Sequence, residues 1–220
     1  MQFSGAKFQG ARFDGGTFTG PVSLENSQFW TVPDFRRSEF QKHVTLHGIE
    51  VAPKSPEAGF LGRAKDTDTA DKYRRLKELA VAARDHDREQ RFFARELKAK
   101  RGHETRGLAL VSSYLYELAS DFGRSLWRPK FGFFAVLFAF GLAYATGFGK
   151  TGMVISGLLY SANHLLPFLP GSRKRIEVLE TSLFGGPAPD SVSALTMFEG
   201  VFGAVFIFLI GLALRNRFRI

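Results

Sequence analysis

The chain contains no cysteine in its 220 residues, and this absence excludes several chemistries. Disulfide bonds, thiolate metal sites and cysteine nucleophiles all require a side chain that the sequence does not supply. Polar aromatic residues are also scarce, with 5 Tyr and 2 Trp against 24 Phe. Most of the Phe lies in two regions, one with a short regular spacing and one with long uncharged runs. This distribution predicts a repeat followed by a membrane segment.

Negative charge is in deficit, since 21 Asp and Glu face 30 Lys and Arg and the net charge is +9. Residues 1–50 carry five charges of each sign, so the excess lies between residues 84 and 130 and beside the apolar runs. This placement favours anionic lipid headgroups as partners and no nucleic acid. The cations expected to contact the headgroups are Arg124, Arg128, Lys130, Arg215, Arg217 and Arg219.

Large apolar residues recur every five or six positions through the first fifty residues. A period of five matches neither an α-helix nor a flat strand. A chain that turns a corner every five residues can bury one large and one small side chain on each face. The large positions are Phe3, Phe8, Phe13, Phe18, Leu24, Phe29, Phe35, Phe40 and Leu46. The slimmer residues two places before the later ones are Ala6, Ala11, Gly16, Val22, Ser27, Pro33, Ser38 and Val44.

This pattern resembles the pentapeptide-repeat family, whose fold is a right-handed quadrilateral β-helix. The resemblance implies such a β-helix over residues 1–50, with the nine large residues as its core. It also implies that Phe8 stacks on Phe29 one coil above. A loose Phe-rich β-meander is the alternative. Because two coils leave open ends, we expect the following helices or a second copy of the chain to cover the stack.

Three segments with different patterns separate the repeat from the apolar runs. Residues 51–68 contain prolines, glycines and scattered charge, which predicts a linker. Residues 69–106 have apolar positions three and four apart with a break at Asp85, which predicts a helical hairpin. Residues 107–130 predict an amphipathic juxtamembrane helix that ends in Trp127 and its neighbouring cations.

Residues 131–220 predict a transmembrane domain. Residues 131–149 contain no charge, and residues 195–214 contain one, at Glu199. Each run is long enough to cross the hydrocarbon core of about 30 Å. Ala135, Ala139, Ala143 and Gly147 form a stripe of small residues that allows close helix packing.

The number of crossings depends on residues 151–171, which form either a re-entrant segment or a third span. Two spans place the cations before residue 131 and after residue 214 on one side but leave Arg173–Arg175 outside. Three spans place Arg173–Arg175 inside but leave the arginines after residue 214 outside. The prolines of the middle segment and its polar pair, Asn163 and His164, favour two spans. Because the N-terminus shows no secretory signal, we expect a multi-pass protein of the inner membrane with a cytoplasmic N-terminal region.

Four further stretches carry a resemblance to known sequences, and together they extend over most of the chain. They are Lys72–Arg101, Tyr114–Pro129 (YLYELASDFGRSLWRP), Tyr160–Pro167 (YSANHLLP) and Gly211–Ile220 (GLALRNRFRI). They resemble bacterial pentapeptide-repeat membrane proteins with a two-helix, ion-channel-like C-terminal module. The resemblance implies an ion-channel-like module here from about residue 107, although no Thr-Val-Gly-Tyr-Gly filter is present.

Polar residues inside the apolar segments are the candidate functional residues. If they are buried between helices, His164 could pair with Glu199, or either could line an aqueous path. The alternative is that Asn163 and His164 lie hydrated at the mouth of a re-entrant loop and that Glu199 lies at the membrane surface at the start of its helix. His43 and His47 are four apart in a repeat of period five, so no metal site is expected there. We expect no catalytic residues and no cofactor.

Two functions follow from these features. The first is a non-enzymatic integral membrane protein whose cytoplasmic repeat is an interaction or assembly platform. The alternative is a homo-oligomeric ion channel whose pore is formed by residues 131–220, because two spans cannot enclose a pore alone.

Overall fold

The computed structural model describes residues 1–52, 66–149 and 153–218. Most of the predicted linker over 51–68 and the start of the segment 151–171 lie outside these residues. The chain divides into two units, Met1–Leu115 and Tyr116–Phe218.

The first unit begins with seven two-residue strands that pair in parallel. Two of the pairs bring Phe8 beside Phe29 and Phe18 beside Phe40. The strand orders are β1-β4-β7, β2-β5 and β3-β6. The described residues form these short parallel pairs and not a closed β-helix, since each strand is only two residues long and a bend or turn separates it from the next. The strands are β1 (Lys7–Phe8), β2 (Thr17–Phe18), β3 (Val22–Ser23), β4 (Gln28–Phe29), β5 (Glu39–Phe40), β6 (Val44–Thr45) and β7 (Glu50–Val51).

Stacked phenyl rings form the core of the repeat. Phe8 stacks on Phe29 with ring centroids 4.7 Å apart, as predicted. Phe13 stacks on Phe35, and Phe18 on Phe40, both at 4.8 Å. These distances match the spacing of paired strands, so the pairing and the stacking reinforce each other. Four of the nine predicted core residues are buried and five half-buried against the same cluster: Leu24, Phe29, Phe35 and Leu46, then Phe3, Phe8, Phe13, Phe18 and Phe40.

A helical hairpin of α1 (Thr69–Ala82) and α2 (His86–Ala99) covers the last coil of the repeat. Leu76 and Leu79 of α1 and Phe92 of α2 belong to the same hydrophobic cluster as Leu46 and Ile49. Asp85 lies at the N-cap of α2 and accepts a hydrogen bond from the Arg88 amide at 3.0 Å. The hairpin therefore covers one end of the stack, as was expected of the helices that follow the repeat. It does not cover the first coil.

Helix α3 (Gly107–Ser120) crosses the boundary between the two units. The sequence predicted one helix over residues 107–130, but the structure interrupts it after Ser120. Asp121, Phe122 and Gly123 all have positive φ, which a continuous α-helix does not allow. The Ser120 hydroxyl accepts a hydrogen bond from the Gly123 amide at 3.1 Å and stabilises this turn.

The second unit contains four further helices. Helix α4 (Trp127–Ala143) continues as a π-helical turn (Tyr144–Phe148). It is followed by α5 (Val154–Leu165), α6 (Ser172–Phe184) and α7 (Asp190–Arg217). By length and composition, two helices among the described residues can cross a membrane, Trp127–Phe148 and Asp190–Arg217. They cover the two runs that the sequence predicted as spans, except residue 149, and extend beyond them toward the cations.

The two long helices run antiparallel within this unit. Gly132 of α4 contacts Phe206 of α7, while Tyr144 further along contacts Glu199. At the other end, Asn216 donates a hydrogen bond to the Gly123 carbonyl at 3.1 Å. The start of α4 and the end of α7 are therefore neighbours.

Candidate functional site

Glycine residues set the positions at which the helices of the second unit cross. A Cβ on Gly157 of α5 would lie 2.3 Å from the Gly141 carbonyl oxygen of α4. A Cβ on Gly203 of α7 would lie 2.7 Å from the Leu165 carbonyl oxygen. Such close backbone contact is typical of helices packed in lipid. It brings side chains one turn away from each glycine into the space between α4, α5 and α7.

Glu199 lies at the centre of this space, with none of its surface exposed. The Tyr144 hydroxyl donates a hydrogen bond to Glu199 Oε2 at 2.8 Å. Ser161 Oγ contacts Glu199 Oε1 and is also 3.1 Å from the Leu137 carbonyl oxygen. Glu199 therefore belongs to a buried polar cluster that also contains Tyr144 and Ser161.

A second pair of polar residues adjoins this cluster. The Tyr160 hydroxyl donates to Glu180 Oε1 of α6 at 3.0 Å. The Tyr160 ring meets the Tyr144 ring edge-on at 5.1 Å and the His164 ring at 4.6 Å. Tyr160 thus lies between the cluster around Glu199 and the half-buried side of α6.

The structure places Asn163 and His164 on α5, two and three residues beyond Ser161, and neither side chain has a described hydrogen bond to Glu199. Asn163 Nδ2 donates to the Leu159 carbonyl at 2.7 Å. Asn163 Oδ1 and His164 Nε2 are buried and have no hydrogen-bond partner among the described residues. The contemplated pair of His164 with Glu199 is absent from the described contacts, in which Tyr144 and Ser161 are the partners of the carboxylate.

The exterior of the two long helices is apolar, in contrast to the polar interior. Each of these helices, Trp127–Phe148 and Asp190–Arg217, contains an apolar stretch of 18 residues. Only 17% of this stretch is buried in the first helix and 22% in the second. Phe131 and Phe208 are 69% and 68% exposed. In water this arrangement exposes the hydrophobic side chains and buries the polar ones, the reverse of a soluble protein. In a bilayer the same arrangement is favourable.

The stripe of small residues predicted for helix packing faces outward. Ala135, Ala139 and Gly147 are exposed and Ala143 is half-buried, and a Cβ on Gly147 would meet no atom within 4 Å. The close contacts inside the chain are made instead by Gly132, where a Cβ would lie 2.3 Å from the Phe206 ring, and by Gly141. The outward stripe has no partner within the part of the chain that the structure describes.

The cations expected at lipid headgroups gather at one end of the helix pair. Arg128 donates to the Glu117 carbonyl at 2.8 Å, and Lys130 lies over the Trp127 ring at 5.3 Å. Arg215 and Arg217 are exposed in the last turn of α7, next to the start of α4. Arg219 lies outside the described residues.

Sequence reasoning missed Tyr144, Ser161, Tyr160 and Glu180 as members of the site. The available signal was the presence of hydroxyl groups inside apolar segments. The π-helical turn that directs Tyr144 inward has no signature that spacing rules detect. Such turns are frequent at functional sites.

Three histidines lie around one surface depression of the first unit. His43, His47 and His86 line a cavity of about 450 Å³ together with Asp85 and Asp87. Among the residues described by the structure, no group of three or more acidic or histidine side chains is arranged to hold a metal ion.

Comparison with known proteins identifies the N-terminal segment. Residues 3–50 match the family model for pentapeptide repeats, in nine copies. Searches of curated proteins and of solved structures returned no significant match. The chain therefore begins with pentapeptide repeats and continues into seven α-helices among its described residues, two of them long and apolar.

Proposed function

We propose that the chain is a non-enzymatic integral membrane protein whose N-terminal repeat is an interaction or assembly platform on the cytoplasmic face. One observation carries the membrane part of this proposal: α4 and α7 direct Phe and Leu outward while they bury Glu199, Ser161 and Tyr144. A soluble protein with this arrangement would expose a continuous apolar surface to water. A bilayer removes that penalty.

Two crossings agree with the geometry better than three. Helix α5 has 12 residues, which at 1.5 Å per residue reach only about 18 Å, too short for the hydrocarbon core. Helix α6 carries Arg173, Lys174, Arg175 and two glutamates, so it does not suit a span. With two crossings, the neighbouring ends at Gly123 and Asn216 lie on one side of the membrane.

The charge distribution supports a cytoplasmic position for that side. Its six cations outnumber the three at the start of α6, and cations near spans favour the cytoplasmic face. The exposed row Leu108, Val111, Leu115 and Leu118 on α3 suits a helix lying in the bilayer surface. Anionic headgroups of a bacterial inner membrane would pair with Arg124, Arg128, Lys130, Arg215, Arg217 and Arg219.

The platform would be the repeat itself, whose short parallel pairs would follow the coils of a right-handed quadrilateral β-helix. The stacked pairs Phe8–Phe29, Phe13–Phe35 and Phe18–Phe40 support a coil that returns over itself about every 22 residues. The hairpin covers the last coil, whereas the first coil keeps half-exposed rings and two edge strands, β1 and β2. Open edges and apolar ends are the surfaces by which repeat proteins bind partners.

Alkaline carbonate extraction of membranes tests the integral placement. We expect the full chain to stay in the pellet, like a known membrane protein, while a peripheral control protein is released. Release of the chain into the supernatant would contradict the proposal.

An oligomeric ion channel built from residues 131–220 is the second candidate. The outward stripe of Ala135, Ala139 and Gly147 favours it, because small residues allow copies to pack closely in lipid. Asn163 Oδ1 and His164 Nε2, buried without a hydrogen-bond partner among the described residues, are the polar atoms that an ion path would use. Ion flux into liposomes that contain the purified protein distinguishes the two functions. Protein-dependent flux that changes in His164→Ala supports the channel, and no flux with any ion supports the platform alone.

A further inference from the structure

Ser161 has one hydroxyl proton and two neighbouring oxygen atoms that can accept it. Its Oγ lies 3.1 Å from the Leu137 carbonyl oxygen and within hydrogen-bonding distance of Glu199 Oε1. A hydroxyl donates one hydrogen bond, whereas a backbone carbonyl and an ionised carboxylate can only accept. If Glu199 were ionised, one of the two contacts would therefore join two acceptors without a proton between them.

One additional proton satisfies every atom of the cluster. A proton on Glu199 Oε1 can be donated to Ser161 Oγ, and the Ser161 hydroxyl can then donate to the Leu137 carbonyl. Tyr144 already donates to Glu199 Oε2 at 2.8 Å. In this arrangement each donor and each acceptor is used, as buried polar groups require.

The groups that face Glu199 offer no compensating positive charge. Tyr144 approaches from the turn after α4, and α5 contributes Ser161, Tyr160 and His164. From α6 the nearest titratable group is Glu180, which is acidic and bonded to Tyr160. Within the described ranges, Glu199 forms no ion pair with a lysine or arginine. A buried carboxylate without a counter-ion is costly, so the neutral acid is the favoured form.

We propose that Glu199 is an intramembrane proton-binding site, in which Tyr144 and Ser161 hold the carboxyl in its acid form. This inference rests on the proposed placement of the second unit in a bilayer. Loss of the proton would leave a charge without a partner and Ser161 with two acceptors. Deprotonation therefore weakens the packing of α5 against α4 and α7, which makes the site a link between proton binding and helix packing.

Infrared spectroscopy of the full chain in lipid nanodiscs at neutral pH tests the assignment. The wild-type protein should show a carbonyl stretch from a protonated carboxyl, and this band should shift when glutamate is labelled with ¹³C. Glu199→Gln should lose the band and remain folded, because the amide can donate to Ser161 and accept from Tyr144. Glu180→Gln, the matched control on α6, should keep it.

Three results would overturn the proposal: no such band in the wild type, a band that persists in Glu199→Gln, or a band that appears only when Na⁺ is replaced by choline. The last result would assign the same oxygens to a monovalent cation. If Glu199→Gln does not fold, Tyr144→Phe decides, because loss of the hydrogen bond to Oε2 must shift the band of Glu199. Carbonate extraction of the wild type tests the membrane placement separately, so a retained protein without the band refutes only the proton site.

Discussion

Gly141 and Gly157 meet with no room for a side chain between them, since a Cβ on Gly157 would lie 2.3 Å from the Gly141 carbonyl oxygen. Leu137 lies one turn before the first glycine and Ser161 one turn after the second. The crossing therefore brings the Ser161 hydroxyl to the Leu137 carbonyl, 3.1 Å away, and to Glu199. The position of the buried polar cluster depends on these two glycines.

Gly157→Ala should destabilise the second unit, because the added methyl collides with backbone that cannot move alone. Overpacking of this kind costs about 1–3 kcal/mol. Unfolding in detergent, followed by circular dichroism, measures the loss. Gly147→Ala is the matched control, because a Cβ there meets nothing within 4 Å and should change stability little. Equal stability of the two variants would contradict the crossing.

Glu96 stabilises the hairpin through three cations. It is buried on α2 and contacts Lys77 at 2.7 Å, Lys100 at 2.8 Å and Arg74 at 3.2 Å. Glu96→Gln should cost about 2 kcal/mol, because partly buried cations lose their counter-charge. Thermal unfolding at neutral pH measures the loss. The exposed Glu78, paired with Arg75, is the control, and Glu78→Gln should cost about 0.5 kcal/mol or less. A smaller cost at Glu96 than at Glu78 would disprove this role.

The same carboxylate predicts a pH dependence. Burial raises the pKa of Glu96, but hydrogen bonds from Lys100 and Lys77 outweigh it, and the pKa falls below its ordinary value of 4.5. A carboxyl with a lowered folded-state pKa contributes stability that is complete above its unfolded-state pKa and is lost as the pH falls through the folded-state pKa. The stability difference between wild type and Glu96→Gln should therefore shrink below pH 4.5. If this stability difference increased as the pH falls, the pKa of Glu96 would be raised in the folded state and the prediction would be wrong.

Replacement of a stacked Phe by Ala should reduce the stability of the repeat by an amount that depends on its position in the stack. Phe35 is buried and stacks on the half-buried Phe13 at 4.8 Å. Phe35→Ala should cost about 3–5 kcal/mol, whereas Phe13→Ala at the open end should cost less, because it leaves a gap that water can fill. The fluorescence of Trp30 during urea unfolding, in a Trp127→Phe background, reports on the repeat alone. A larger loss at Phe13 would mean that the first coil is covered.

The repeat could be read from the sequence because its signal is local. The five- and six-residue spacing marks the large apolar residues, and the resemblance to pentapeptide repeats implies that Phe8 stacks on Phe29. The long apolar helices could also be predicted from the sequence, because an uncharged run such as 131–149 is typical of a membrane span.

The buried cluster could not be read in the same way. The i, i+4 spacing made Ala135 and Ala139 candidates for close helix packing, but spacing does not tell whether that face meets a helix of the same chain or of another copy. Gly132 and Gly141 occupy the internal face instead. Tyr144 enters the cluster through a π-helical turn, whose extra residue changes the direction of the side chain. Glu199 was identified as an intramembrane polar residue, but its partners Tyr144 and Ser161 come from distant segments.

The central claim is a membrane protein with two crossings and both ends on the cytoplasmic side. Because the chain has no cysteine, single cysteines can report the side of each segment without a background signal. Lys7→Cys in the repeat, Arg217→Cys at the end of α7 and Lys174→Cys in α6 occupy exposed positions.

Labelling of these three variants in intact cells with a membrane-impermeant thiol reagent is the most direct test. We expect Lys174→Cys to react in intact cells, and Lys7→Cys and Arg217→Cys to react only after the membrane is opened. Reaction of Arg217→Cys in intact cells, with Lys174→Cys protected, would establish three crossings and contradict the account.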